Sequence, residues 1–239
     1  MCKIILKFGE KITADEMSAH REKMEKGAGF SWWNEGKNTF GIVKDLDHAR
    51  AFGQYEANCK KSPFHLFHSR FPSEGAVLLA NAQPFVNADL AFCHNGTMAA
   101  DQLRWLNAVA GNIVNHYDSD SKLVFGLISK MPHQSALTIL KTQTQNFVLV
   151  SRKKREIYVI GSFDVETNKE NTHCLAARNE WNHDRMFMVL DFNGKCKYLE
   201  VEKPKYVYSK PHTERVRGAC GIPAVVQHEG ELPEWWNKV

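Results

Sequence analysis

The order of strand-like and helix-like segments along the chain limits the possible folds more than any other feature of the sequence. Short runs rich in β-branched and aromatic residues, such as residues 2–8 and 146–151, lie on both sides of a central region. In that region, residues 98–110, 120–130 and 133–142 have the composition of three consecutive helices. We therefore predict an α+β fold in which two mostly antiparallel sheets pack together, with helices outside them.

Turn and cap signals predict the remaining elements. Residues 14–26 have helix-forming composition and stop at Gly27, and residues 47–59 form a second helix before Pro63. Two hairpins are expected, one turning within residues 34–38 and the other at residues 87–89. Further strands are expected at residues 64–71, 156–161, 173–177, 186–192 and 196–202.

The chain reads as one domain followed by a tail. The domain covers residues 2–202, and residues 203–239 contain several prolines and little periodicity. We expect this segment to be extended, packed down by Trp235 and Trp236, and available for docking to a partner protein.

Composition narrows the class of protein. With 43% hydrophobic and 24% charged residues, the chain resembles an ordinary soluble globular protein. Because it lacks both an apolar run of about 18 residues and a secretion signal, we expect a cytoplasmic protein without a membrane span. Six scattered cysteines without a C-x-x-C pair favour free thiols over disulfides or a zinc site. We expect no metal and no other cofactor.

The net charge of +4 includes lysines and arginines that lie among tyrosines between residues 195 and 217. A nucleic-acid surface would need a denser basic patch with aromatic rings for stacking. A solvated strand and tail is the simpler interpretation, and we do not expect a nucleic-acid partner.

Cys2 directly follows the initiator methionine. Methionine is commonly removed before a small residue, and its loss would give Cys2 a free α-amine with a pKa near 7.7–8.0. One residue would then hold both a nucleophile and a base for its activation. Alone this signal is weak, because any small residue can occupy position 2.

Three later segments carry further polar residues, namely residues 68–75 (HSRFPSEG), 93–98 (CHNGTM) and 118–129 (DSDSKLVFGLIS). Each has a simple structural interpretation: a surface arginine, an Asn-Gly turn and a helix N-cap, respectively. Their order behind Cys2 is more informative than any one of them.

Together, these segments resemble the class II glutamine amidotransferases, which are N-terminal-nucleophile hydrolases. That family has an N-terminal Cys, then H-S/T-R-x-x-S/T-x-G, then H-N-G, then S/T-D-S/T at a helix start. The resemblance covers roughly residues 2–200. It implies a four-layer αββα fold and the hydrolysis of L-glutamine to glutamate and ammonia through a thioester on Cys2.

The chemistry of glutamine is consistent with the roles that the resemblance implies. Arg70 would pair with the α-carboxylate through two parallel hydrogen bonds, and Asp120 would accept from the α-ammonium group. The amide carbonyl needs an oxyanion hole, which the side chain of Asn95 and the backbone N–H of Gly96 would supply. The implied site comprises catalytic Cys2, Asn95 and Gly96, with Arg70, Ser73, His94 and Asp120 binding the substrate.

Three points remain open at this stage. His65, His68 and His94 also fit a metal or acid–base role, although structural histidines are favoured. Because only about 35 residues follow the glutaminase region, we expect ammonia to pass to a separate synthetase or ligase in trans. The alternatives are a stand-alone N-terminal-nucleophile amidase acting on another amide, and a catalytically silent binding or structural protein with the same fold.

Overall fold

A computed structural model describes most of the chain, namely residues 2–19, 26–71, 75–109, 111–112, 119–167, 173–177, 184–202 and 225–228. Thirteen strands lie in these residues: β1 (Lys3–Phe8), β2 (Ala28–Asn34), β3 (Thr39–Asp45), β4 (Phe64–Ser69), β5 (Phe85–Val86), β6 (Leu90–Asn95), β7 (Asn146–Ser151), β8 (Glu156–Gly161), β9 (Phe163–Thr167), β10 (His173–Ala177), β11 (Arg185–Asp191), β12 (Cys196–Glu202) and β13 (Val225–His228). The helices are α1 (Ala14–Ala19), α2 (His48–Asn58), α3 (Ala100–Val109), α4 (Asp120–Ile128) and α5 (His133–Thr142), with a 3₁₀ turn at Leu79–Asn81.

The strands form two antiparallel sheets. The first sheet has the order β3-β2-β4-β1-β10-β9, and the second has the order β13-β12-β11-β8-β7-β6-β5. In the first sheet β4 lies between β2 and β1 and pairs with both along its length. In the second sheet β6 pairs with β7 along its whole length but with β5 only at Ala91 and Phe92.

Three apolar clusters define four layers. Side chains such as Leu6 and Cys93 fill the space between the sheets, because alternate residues of each strand point to that side. Phe30 packs beneath α1 and α2 on the outside of the first sheet. Phe92 and Leu123 lie between the second sheet and helices α3–α5. This αββα arrangement confirms the predicted fold class.

Most predicted elements agree with the structure, and local signals explain why. Asp47 caps α2, since its side chain accepts the Arg50 N–H at 2.9 Å, and the helix ends at Cys59. The turn before β6 is fixed by Asn87, whose side chain accepts the backbone N–H groups of Asp89 and Leu90. Of the helix expected at residues 14–26, residues 14–19 are helical and residues 20–25 lie outside the described part.

Two strands were not anticipated. Phe163–Thr167 forms β9, which pairs with β10, although its polar residues gave no clear strand signal. Within the expected tail, Val225–His228 forms β13 and extends the second sheet beyond β12. The domain boundary at residue 202 remains a prediction, and Trp235 and Trp236 lie outside the described residues. No helix in the described part of the chain is long and apolar enough to cross a membrane.

Candidate active site

Strand alternation brings Cys2 to one end of the space between the sheets. Ile4 and Leu6 of β1 point into the inter-sheet cluster, so Cys2, two residues before Ile4, lies on the same side. On the neighbouring strand, Leu66 of β4 also points inward, and the alternation continues to His68 and Arg70. The pairing of Lys3 with Ser69 places the start of β1 beside the end of β4.

The Cys2 thiol is half-buried and neutral at physiological pH. Its sulfur accepts the Phe71 N–H at 3.3 Å and lies 3.4 Å from the Phe71 carbonyl oxygen. Burial raises the pKa of the thiol, and the Phe71 N–H and the positive charges of the amino terminus and Arg70 oppose this effect. The negative charge of Asp120 adds to the rise. Both Arg70 and Asp120 therefore act electrostatically on the predicted nucleophile.

Arg70 is held firmly at the end of β4. It is only 4% exposed, and its Nη2 donates to the Gly75 carbonyl at 3.3 Å. Its backbone N–H donates to Gly27 at 2.8 Å, and its carbonyl accepts the Lys26 N–H at 2.7 Å. The guanidinium is thus a preformed positive charge beside Cys2. Ser73, which was also assigned to the site, lies outside the described residues.

Asn95 and Gly96 lie at the end of β6 on the opposite sheet. Asn95 is 3% exposed and follows the inward alternation of Ala91 and Cys93. Gly96 has φ +140°, a conformation that side-chain-bearing residues rarely adopt. A Cβ atom at Gly96 would lie 2.5 Å from Cγ and 2.9 Å from Cβ of Gln145. Only glycine fits this turn without a shift of its neighbours.

Asp120 joins the turn after β6 to the start of α4. Its Oδ2 accepts the Met98 N–H at 3.0 Å, and its Oδ1 accepts the Ser121 N–H at 2.7 Å. The preceding residue, Ser119, caps the helix through the Lys122 N–H. A carboxylate at a helix N-terminus is favoured by the exposed N–H groups and the helix dipole. The negative charge near Cys2 is therefore stabilised by the fold itself.

The His94 side chain lies on the helix side of β6, away from Asn95. Its ring stacks on Phe147 with centroids 5.0 Å apart, and its Nδ1 is 2.9 Å from Ser121 Oγ. Burial lowers the pKa of His94 to about 4, so the ring is neutral. In this position the ring supports the start of α4, and the direct glutamine contact assigned to it from sequence remains a prediction.

The other two histidines are also buried and neutral. His65 Nδ1 lies 2.8 Å from the Tyr55 hydroxyl, and burial lowers the pKa of His65 to about 4. His68 donates from Nε2 to the His94 carbonyl at 3.1 Å, and burial lowers its pKa to about 3. Among the described residues, no group of three His, Cys, Asp or Glu side chains could hold a metal ion. Four cysteines in this part of the chain are free thiols: Cys2, Cys59, Cys93 and Cys196.

Sequence reasoning missed the uncharged groups that organise the site. The Phe71 backbone holds the thiol, the Met98 N–H holds Asp120, and the Gln83 side chain binds the backbone of His94. Contacts made by backbone N–H groups do not depend on residue type, so the sequence does not indicate them. Gln83 lies before Pro84 in a segment for which no element was predicted, so only the fold reveals its contact.

A second concave region lies on the outer face of the second sheet. This groove has a volume of about 480 Å³ and is lined by aromatic residues that include Tyr158, Phe187 and Tyr198. None of its lining residues is a cysteine or belongs to the Cys2 site. The groove therefore offers no thiol, and the Cys2 end of the inter-sheet layer is the better candidate for thiol chemistry.

Comparison with known proteins finds similarity by structure only. The sequence matches no protein-family profile and no curated protein. Its structure is similar to glutamine phosphoribosylpyrophosphate (PRPP) amidotransferase from B. subtilis, with a TM-score of 0.61 and 16% identity over 84% of this chain. The chain spans about half of that enzyme, 49% of its length. It is also similar to a glutamine aminotransferase class-II domain protein from Silicibacter pomeroyi, with a TM-score of 0.51 and 14% identity over 80% of this chain and 99% of the other. The chain therefore has the fold of class II glutamine amidotransferases.

Proposed function

We propose that this chain is the glutaminase component of a class II glutamine amidotransferase, which hydrolyses L-glutamine to glutamate and ammonia. The observation that supports this proposal is the convergence of a half-buried cysteine, a buried arginine, an Asn-Gly turn and a buried aspartate at one end of the sandwich. The fold shared with glutamine amidotransferases supports the same reaction class.

The reaction begins with proton transfer within Cys2. Loss of Met1 gives Cys2 a free α-amine, which is partly unprotonated at neutral pH. Because burial raises the pKa of the thiol, a base is needed to form the thiolate, and the α-amine is the nearest candidate. The sulfur then adds to the carbonyl carbon of the glutamine side-chain amide.

The oxyanion formed in this step is stabilised by the Asn95 side-chain amide and the Gly96 N–H. Collapse of the intermediate breaks the C–N bond, and the proton held by the α-amine passes to the leaving nitrogen, which departs as ammonia. Water then adds to the γ-glutamyl thioester, the C–S bond breaks, and glutamate leaves with the thiol restored.

Recognition of the free amino acid comes from opposite charges at the end of β4 and at the start of α4. Arg70 pairs with the α-carboxylate and Asp120 accepts from the α-ammonium group, as a zwitterion requires. Ser73 adds a hydroxyl contact. His94 contributes by holding Ser121, and thereby the start of α4, in place.

We further propose that the ammonia is delivered in trans to a separate synthetase or ligase in the cytoplasm, with residues 203–239 as a docking element. Coexpression with a candidate partner should allow the partner to form its product with glutamine as the nitrogen source, because the ammonia released from glutamine passes to the partner. Glutaminase activity that no partner alters, together with no product in the coupled assay, would count against delivery in trans.

The central experiment combines glutaminase assays with labelling by a glutamine-analogue diazo-ketone. We expect stoichiometric modification of Cys2, and intact mass should show that the active protein lacks Met1. Cys196→Ala is the matched control, because Cys196 lies on β12 and should leave labelling unchanged. Retention of Met1 in active protein would refute the mechanism.

The same assays separate the alternatives. Faster hydrolysis of N-acylated glutamine than of glutamine would indicate an amidase for a larger substrate. Absence of both labelling and turnover would indicate a silent binding or structural protein with this fold.

A further inference from the structure

Gln83 binds the backbone of His94 with both ends of its side-chain amide. Its Nε2 donates to the His94 carbonyl at 3.1 Å, and its Oε1 accepts the His94 N–H at 2.6 Å. Gln83 is 2% exposed, so both hydrogen bonds are shielded from water. One side chain thus satisfies both backbone groups of a residue, as a neighbouring strand would.

The register of the sheet explains why a side chain takes this role. Phe85 pairs with Phe92 and Val86 pairs with Ala91, so continued pairing would place residue 83 opposite His94. Strand β5 starts only at Phe85, and the intervening Pro84 has no backbone N–H to donate. The Gln83 amide therefore replaces the missing part of β5 at the end of β6.

The backbone of Gln83 is anchored to the other sheet. A Cβ atom on Gly29 of β2 would overlap the Gln83 carbonyl oxygen, which shows how closely this loop lies against β2. Lys44 of β3 donates from Nζ to the neighbouring Ala82 carbonyl at 2.9 Å. Gly29 pairs with His68, the residue that also donates to the His94 carbonyl across the two sheets.

We propose that Gln83 is a positioning residue that sets where Asn95 and Gly96 lie relative to Cys2. Its backbone is fixed on the sheet that carries Cys2, and its side chain fixes the residue before the Asn-Gly turn. Gln83 contacts neither substrate nor thiol and acts through the His94 backbone. This inference rests on the proposed function, since it concerns how the oxyanion hole is held.

The test compares three variants of the full chain. Gln83→Met keeps the size of the side chain and removes both hydrogen bonds. Gln83→Glu keeps the shape and, when its carboxyl is protonated, can make both bonds again. Gln143→Met is the matched control, because Gln143 is also a buried glutamine, and its side chain bonds to Ile139 and Thr142 near the end of α5.

We expect Gln83→Met to lower kcat about 10- to 100-fold, the cost of a misplaced oxyanion hole, while KM for glutamine changes by less than about twofold. Gln83→Glu should retain more kcat than Gln83→Met. Gln143→Met should retain the wild-type kcat even if its melting temperature falls. The split between kcat and KM separates positioning from a general loss of structure.

Two outcomes would overturn the inference: an unchanged kcat in Gln83→Met, or a loss in kcat that Gln143→Met reproduces at equal loss of stability. If Gln83→Met does not fold, Gln83→Glu decides, because a folded Gln83→Glu protein with normal kcat at a pH where its carboxyl is ionised contradicts the role. Failure of the proposed function is a different result, since wild-type protein would then lack turnover and diazo-ketone labelling.

Discussion

Gly96→Ala tests the oxyanion turn with a single methyl group. The added Cβ would lie 2.5 Å from Gln145 Cγ and 2.9 Å from Gln145 Cβ, and the backbone would keep φ +140°. Holding a non-glycine residue in such a conformation costs about 1–3 kcal/mol. The turn must relax either by moving Gln145, which donates to the Thr97 carbonyl at 3.1 Å, or by rotating the Gly96 peptide.

Rotation of the peptide moves the Gly96 N–H away from the predicted oxyanion, and movement of Gln145 breaks its hydrogen bond to Thr97, the next residue of the same turn. The loss of one such donor costs about 2.7–4 kcal/mol of transition-state stabilisation, equivalent to about 10²–10³ in kcat. Steady-state glutaminase kinetics, followed by ammonia release, should therefore show a large fall in kcat and a much smaller change in KM. Thermal unfolding should show destabilisation by the strain energy.

Three further variants separate the effect of backbone strain from the effect of the contact with Gln145. Gly53→Ala in α2 adds a methyl group that meets nothing within 4 Å, and should be neutral or stabilise the helix by up to about 1 kcal/mol. Gly9→Ala adds strain at φ +79° without contact, so it should reduce stability but not kcat. Gly96→Ala combined with Gln145→Ala should regain part of the loss. Wild-type kcat in Gly96→Ala would refute the assignment of this turn.

Three other perturbations give distinct results. Cys2→Ala should abolish turnover while glutamine still binds, as measured by calorimetry; residual turnover above background would contradict the nucleophile. Arg70→Ala should weaken glutamine binding by about 2–5 kcal/mol, seen mainly in KM, and an unchanged KM would exclude its role. The folded-state pKa values of His65, His68 and His94, about 4, 3 and 4, lie below the ordinary value of 6.5. The unfolded chain therefore binds more protons below pH 6.5, and the free energy of unfolding should fall as pH falls from about 6.5 towards 4, by up to about 1.4 kcal/mol per pH unit for each histidine. Urea titrations at pH 5 and pH 7 test this, and equal stability at the two values would contradict it.

Local signals predicted most of the elements, and the order of the motifs predicted a shared site, which stays a prediction. The start of α2 at Asp47 could be predicted because N-capping depends on only a few adjacent residues. The ordered motifs indicated Cys2, Arg70 and Asp120, and in the structure the charges of Arg70 and Asp120 both act on the Cys2 thiol. Alternation along the strands then accounts for the inward positions of Cys2 and Arg70.

Contacts between distant segments were beyond the reach of the sequence. The hydrogen bonds between Gln83 and His94 depend on where β5 begins. The sequence of residues 83–86 does not indicate the position of that strand start. The His94 ring points towards the helices because it follows inward-facing Cys93 in β6. The sequence predicted only that this strand belongs to a hairpin, without saying which of its residues face inward. The strand β9 was missed because its charged residues carry little β propensity.

The predicted nucleophile and the predicted oxyanion hole belong to different sheets, and this division has a consequence for the apolar residues between them. The thickness of the layer containing Leu6 and Val148 sets the gap that the attacking sulfur must cross to a stabilised carbonyl. Protein interiors are packed densely enough for a single methylene to be felt. The size of the side chains in that layer should therefore be constrained by the rate of turnover as well as by stability. A substitution that changes side-chain volume there, far from any polar group, would slow the reaction in a protein that still folds.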